Sequence, residues 1–338
     1  MLSKESIISR CETLMKFPTF LSFGNPAAFT KAAEHILARF QTLKYSIGSW
    51  SAHSLNPKDF KEHATLNWIF VCDLLNFSFW QDDDELNSAG KRRFIVNFNG
   101  RDYNSYWSLP AVLNRALDSG HDIVNPNVYA TISFTDLKKI FAPSYYDCTD
   151  LPLLPERHEL LKSAGERLVQ FYEGNFANFL FTVGDDAWAF INRLVEEFPS
   201  FRDVAPDGTC FLKRAQILVA DIWAASSGHY FSKTINQLTI FADYRIPQVL
   251  CSLKLIVYGT ELLEKVSAGQ ILKSGSIEEV EIRAASIVAA DRLLNEMQKM
   301  DATVNAVLLD FYLWDYSQTV KSAIDKTYPF HKCRSIYY

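Results

Sequence analysis

The chain has 338 residues, 48% of them hydrophobic and 22% charged, enough apolar content for a sizeable core and too much for a disordered chain. Its net charge of -5 and pI of about 5.8 leave no basic excess of the kind that drives binding to duplex nucleic acid. No apolar run approaches the roughly 18 residues of a membrane helix, and the six scattered cysteines form neither a CxxC pair nor a zinc spacing.

From the N-terminus, "MLSKESIISRCETLMKF" lacks an apolar h-region and carries Glu5 and Glu12, so a soluble, unsecreted, cytoplasmic protein is expected. "SAHSLNP" sets His53 before the turn signal Asn56-Pro57, where a turn histidine is the plainer reading. "NFSFWQDDDE" (76 to 85) ends in an acidic run read as a solvent-facing loop, with Asn76 and Trp80 able to line a cavity. "RRFIVNFNG" (92 to 100) alternates and ends in Gly100, a strand or small hairpin arm.

"CTDLPLLPERH" (148 to 158) marks a softer seam within one compact domain, because Pro152 and Pro155 do not belong in a helix interior. The stretches 156 to 181, 185 to 197, 247 to 268 and 303 to 324 read as largely helical. In "DGTCFLKRAQILVADIWAASS", Phe211, Ala215, Leu218, Val219, Ile222 and Trp223 describe a helix with one buried face. "SIEEVEIRAASIVAADRLLNEMQKM" opens with Ser276 and Glu279 in capping-box spacing and continues as a second such helix. The expected fold is therefore mainly α, compact and multi-helical, with at most a minor β element.

Signature motifs for dinucleotides, Walker-type phosphate loops, elbow serines and zincins are absent, so any catalysis rests on dispersed groups. "TIFADYRIPQ" places Asp243 and Arg245 among aromatic and aliphatic neighbours, where a buried carboxylate must be paired, neutralised or used. A buried ion pair, with Arg245 or a distant Arg, is the plainer reading. In "LLDFYLWDYSQ", Phe311 and Asp315 share a helical face while Asp310 sits roughly 140° away at about 100° per residue. Either a pocket wraps around that helix, or one acid caps or pairs elsewhere. Lys213 and Arg214 are suited to clamping a phosphate, with a solvated helix edge as the plainer alternative.

Taken in order, "HSLNP", "LNWIFVCDLLNFSFW", "YWSLPAVLNRALDSG", "FLKRAQILVADIW", "FADYRIPQVL", "EIRAASIVAADRLL" and "LDFYLWDYSQ" resemble the queuosine salvage family, the queuosine 5'-phosphate N-glycosylase/hydrolases. The likeness runs through nearly the whole chain. It implies a helical fold similar to that of the helix-hairpin-helix DNA glycosylases and hydrolytic release of queuine from queuosine 5'-monophosphate, a small-molecule reaction with no cofactor and no metal. It carries the family's acid onto Asp243 with Phe241 beside the base, its "D-[YF]-x-x-x-D" motif onto Asp310, Phe311 and Asp315, and its histidine onto His53. Position 311 departs from the Tyr expected of many relatives, which removes a hydroxyl and keeps a stacking face. Phosphate binding by Lys213, Arg214 or Arg245 is read from charge alone. A binding protein for a modified base, without turnover, is the alternative; a DNA glycosylase is disfavoured by the overall acidity.

Overall fold

The computed structural model describes residues 2–81 and 90–338, so the acidic run Asp82 to Glu85 lies outside the described residues. The described residues hold 16 helices and three two-stranded sheets, the mainly α architecture that the periodicity predicts. Eight helices position the site: α1 (Lys4–Leu14), α2 (Pro26–Leu43), α3 (Gly48–Ala52), α4 (Glu62–Leu74), α5 (Lys213–Ala225), α6 (Arg245–Ser252), α7 (Ile277–Gln298) and α8 (Ala306–Thr319).

Helix α7 is the hub. Ser276 caps it by accepting from the Glu279 amide, and it packs on α1, α2, α6 and α8. From Glu279 to Ala290 every side chain is buried, including Glu279, Glu281 and Arg283, so these polar positions on a helix read as having one buried face are enclosed and must be paired. Arg283 answers Asp203 at 2.9 and 2.5 Å and Glu279 at 3.4 Å, while Glu281 accepts the Thr19 and Phe20 amides. Helix α5 behaves likewise: it packs between α3 and α4, and its polar residues Lys213, Arg214, Gln216 and Asp221 are as buried as its apolar ones.

The small sheets are staples. β1 (Leu21–Phe23) pairs antiparallel with β4 (Ile256–Tyr258), and β5 (Ile271–Leu272) runs parallel to β6 (Lys332–Cys333). β2 (Val96–Phe98) and β3 (Arg101–Tyr103) form the hairpin foreshadowed at 92 to 100. Its turn, Asn99-Gly100, has both residues at positive φ (50° and 76°), the geometry a two-residue hairpin turn needs and that Asn-Gly tolerates.

Three expected helices are broken: 303 to 324 is α8 and then Lys321–Thr327, parted at Val320. The stretch 156 to 181 is Leu154–Phe171 and Phe176–Val183, interrupted where Glu173 and Gly174 adopt positive φ; Pro155 falls in the first turn, where its missing N–H leaves no bond unmade. The stretch 247 to 268 is α6, then β4, then Thr260–Ser267, with Lys254 at φ 59° ending α6. None of the six cysteines is in a disulfide. No helix among the described residues is long and apolar enough to cross a membrane. One hydrophobic cluster takes side chains from Ile7 through Ile324.

Candidate active site

A cavity of about 350 Å³ opens where α3, α5 and α8 meet the non-helical segment 239 to 244. An irregular backbone in a protein interior needs partners for its amides and carbonyls, and here side chains from three helices supply them. Gln216 of α5 accepts the Thr239 amide at 2.9 Å, Asp310 of α8 accepts the Phe241 amide at 2.8 Å, and Arg283 of α7 donates to the Ala242 carbonyl at 2.9 Å. The segment is fixed residue by residue.

Asp243, 8% exposed, lines the cavity at the end of that segment. Its Oδ1 accepts the Arg245 and Ile246 amides at 2.7 and 2.8 Å, the first free N–H groups of α6. One oxygen is thereby held by a helix N-terminus, and the other remains for a ligand. Burial raises the Asp243 pKa above the ordinary carboxylate value, opposed by Lys213 and by those two amides. The Arg245 guanidinium does not pair with it: Arg245 binds Asp325 at 2.6 Å and Gln248 at 2.9 Å and lies over the Phe330 ring. The ion pair with Arg245 read from the sequence is replaced by backbone capping.

Both acids of α8 reach the cavity, together with Phe311 and Trp314. Positions 310/314 and 311/315 form two adjacent stripes, so the pocket wraps around the helix. Asp310 is buried and its carboxyl is pushed well up, first by desolvation and then by Asp243. Asp315 stands at the exposed mouth, where Tyr45 Oη donates to Oδ2 at 2.6 Å. Phe241 and Phe311 meet edge-on, with centroids 6.5 Å apart and planes at 60°, so they are not two parallel walls. His53 caps α3, lines the cavity and stacks on Trp107 at 3.4 Å and 14°. Desolvation, then Arg101 and Lys58, depress it to about 4, so it is neutral at pH 7; Nδ1 accepts the Leu55 amide at 3.3 Å, which leaves the proton on Nε2 as a donor.

The three cations expected at phosphate are separated. Lys213 lines the cavity, and its Nζ donates to Asn76 O and Oδ1 at 3.1 and 3.2 Å, leaving one N–H for a ligand. Burial lowers it to about 8 against the pull of Asp243. Arg214 does not reach the cavity: its guanidinium binds the Leu74 and Ser200 carbonyls and the Asp73 carbonyl, closing the C-terminus of α4. Arg245 lines a second cavity of about 160 Å³ that shares only Phe79 and Tyr244 with the first.

Sequence reasoning missed Tyr45, Trp107, Trp314 and, above all, Asp221 with Asp73 behind it. Lys213, Ile217 and Asp221 all line the cavity, one α5 face at i, i+4 and i+8. That spacing is visible in "KRAQILVAD", yet one acid on an apolar helix carries no signal until its neighbours are known.

The profile of the family described as "Queuosine salvage protein" matches residues 55–338, so His53 lies just before the matched region. A Bos taurus protein described as "Queuosine 5'-phosphate N-glycosylase/hydrolase" is 40% identical over 332 residues, 94% of this chain and 94% of that protein. Proteins with the same description from Schizosaccharomyces pombe and Sphaerobacter thermophilus are 34% identical over 332 residues (93% of this chain, 94% of the relative) and 33% over 312 (91% of each).

Proposed function

The chain belongs to the queuosine salvage family, and from that premise we propose how this enzyme hydrolyses the N-glycosidic bond of queuosine 5'-monophosphate and releases queuine: Asp243 faces the ribose C1' as the catalytic carboxylate. The observation that carries this reading is the clamped geometry of Asp243, one oxygen tied to the start of α6 while the largely buried carboxyl lines the cavity.

Breaking the bond builds positive charge on C1' and sends the bonding electrons to the base. A fixed anion beneath the sugar favours that state over the neutral ground state, and it does so more strongly away from water. Asp243 acts either by forming a ribosyl ester or by facing an oxocarbenium ion while water adds; both routes require the same placement of its free oxygen. Asp310 and Asp315 grip the base and its cationic secondary amine, Asp315 at the mouth through a charge-assisted hydrogen bond to the amine and Asp310, its carboxyl pushed up by burial, through a hydrogen bond to the base. Phe241 and Phe311 supply a stacking face and an abutting edge, and His53 Nε2–H donates to base or ribose. Lys213 contacts the 5'-phosphate with its remaining N–H.

Incubation with queuosine 5'-monophosphate, followed by chromatography, is expected to show free queuine and ribose 5-phosphate in equal amounts. Tight binding of the nucleotide without release would return the protein to the class of modified-base binders.

A further inference from the structure

We propose that Asp221 is the acid that hands its proton to the departing base; this rests on the reading of the cavity given above. The base is a 7-deazapurine, so the nitrogen that purine hydrolases protonate is a carbon here. Its departure as a bare anion is unfavourable, and a donor near the remaining ring nitrogens is needed.

Asp221 meets that need by position. It lines the cavity two turns along α5 from Lys213, on a wall separate from the 239 to 244 segment that carries Asp243. Asp73 of α4, the helix packed against α5, is fully enclosed; its Oδ1 has a 3.5 Å contact from Asn76 and its Oδ2 is buried with no hydrogen-bond partner. Asp221 raises the Asp73 carboxyl beyond what burial does, so the two acids interact across that packing. The cation facing them from within the cavity is Lys213, already donating twice to Asn76. Trp50 of α3 is the side-chain donor facing Asp221; Arg214 faces Asp73; Cys72, Tyr106 and Asp310 complete the ionisable surroundings. Like charges so enclosed do not both ionise, and the pair retains a proton. Burial pushes Asp221 up to about 7 and Asp73 well above the ordinary range, which keeps that proton available near neutral pH.

Other donors are worse placed. His53 is depressed to about 4 and the Tyr45 hydroxyl is engaged by Asp315. Asp310 is tied to the Phe241 amide, on the same side as Asp243. In the step itself the C1'–N9 bond breaks, its electron pair passes to the base, and the Asp221 O–H bond yields its proton to the ring nitrogen N3, conjugated with N9. Neutral queuine and an Asp221 carboxylate result. Water then supplies the hydroxyl at C1', and its released proton restores the acid.

Two substrates separate this role from a structural one: queuosine 5'-monophosphate, and 4-nitrophenyl β-ribofuranoside 5'-phosphate, whose leaving group departs without a proton. Asp221→Asn is expected to lower kcat on the natural substrate about 10²–10³-fold and to lower it far less on the nitrophenyl substrate. The intact enzyme is expected to lose kcat as pH rises through about 7 on the natural substrate alone, a readout that needs no variant to fold. Equal losses on both substrates, no loss on either, a limb common to both substrates, or the selective pattern appearing in Asp310→Asn instead would each overturn the assignment. Asp243→Asn separates the two readings: it inactivates both substrates if the cavity reading holds, and if it spares them that reading fails whatever Asp221 does.

Discussion

Replacing Asp243 with Asn removes a charge and keeps a cap. The Asn Oδ1 still accepts the Arg245 and Ile246 amides that the carboxylate holds at 2.7 and 2.8 Å. What disappears is an anion facing a developing cation. Two opposite unit charges about 4 Å apart, at an effective dielectric of about 20, attract by about 4 kcal/mol, which corresponds to on the order of a 10³-fold loss of rate. Asp243→Ala loses the same charge and the cap as well, a further cost of about 1 kcal/mol in stability. Single-turnover release of queuine, followed by chromatography, should therefore fall alike in the two variants, while calorimetry should show a lowered Tm in the Ala variant alone. Turnover of the Asn variant within about tenfold of the parent would refute the electrostatic role, and an equal drop in Tm for both would refute the capping geometry. The parent's activity should also fail on the acid side at a higher pH than an ordinary carboxylate dictates, because burial raises the group that must be ionised.

Lys213→Met should abolish the preference for queuosine 5'-monophosphate over the nucleoside, and in the parent that preference should fade as pH rises through about 8, where the buried ammonium gives up its proton; an unchanged KM ratio for the two substrates would contradict the phosphate contact. Asp221 binds its proton more tightly folded than unfolded, so its contribution to stability is whole below about pH 4 and is lost as pH rises through about 7. Urea unfolding should accordingly show the parent losing on the order of a few kcal/mol relative to Asp221→Asn between pH 5 and 8, and parallel stability curves would contradict it. Arg283→Met leaves Asp203 and Glu279 buried without their cation and frees the Ala242 carbonyl, so a loss on the order of 3–5 kcal/mol is expected; a loss below about 1 kcal/mol would show that the network relaxes.

The helical content, the capped start of α7 and the Asn99-Gly100 hairpin were legible because each depends on residues a few positions apart. The motif residues Asp243, Asp310, Phe311 and Asp315, picked out together by the sequence, all reach one cavity. What failed was the plainer reading of Lys213 and Arg214 as a solvated helix edge. They lie, like Asp221 and Arg283, on helices packed on several sides, and whether a second side is covered depends on chain far away in sequence. Arg214 shows the consequence most plainly: next in sequence to a cavity lysine, it points away from the cavity, and the carbonyls that claim it lie mostly about 140 residues earlier. Asp73 and Asp221 were unreadable for the same reason, since each is unremarkable alone and only the fold makes them neighbours. The interrupted helices at 172–175 and 253–259 turn on positive-φ residues, Glu173 and Lys254, whose side chains carry no turn preference.

The central claim is a distance. A crystal structure of the Asp243→Asn variant holding intact queuosine 5'-monophosphate should place the ribose C1' about 3–3.5 Å from the side-chain atom of residue 243 that is not engaged by α6, the separation of a reacting pair. A ribose seated with C1' turned toward another wall of the cavity, and residue 243 touching only protein, would contradict it.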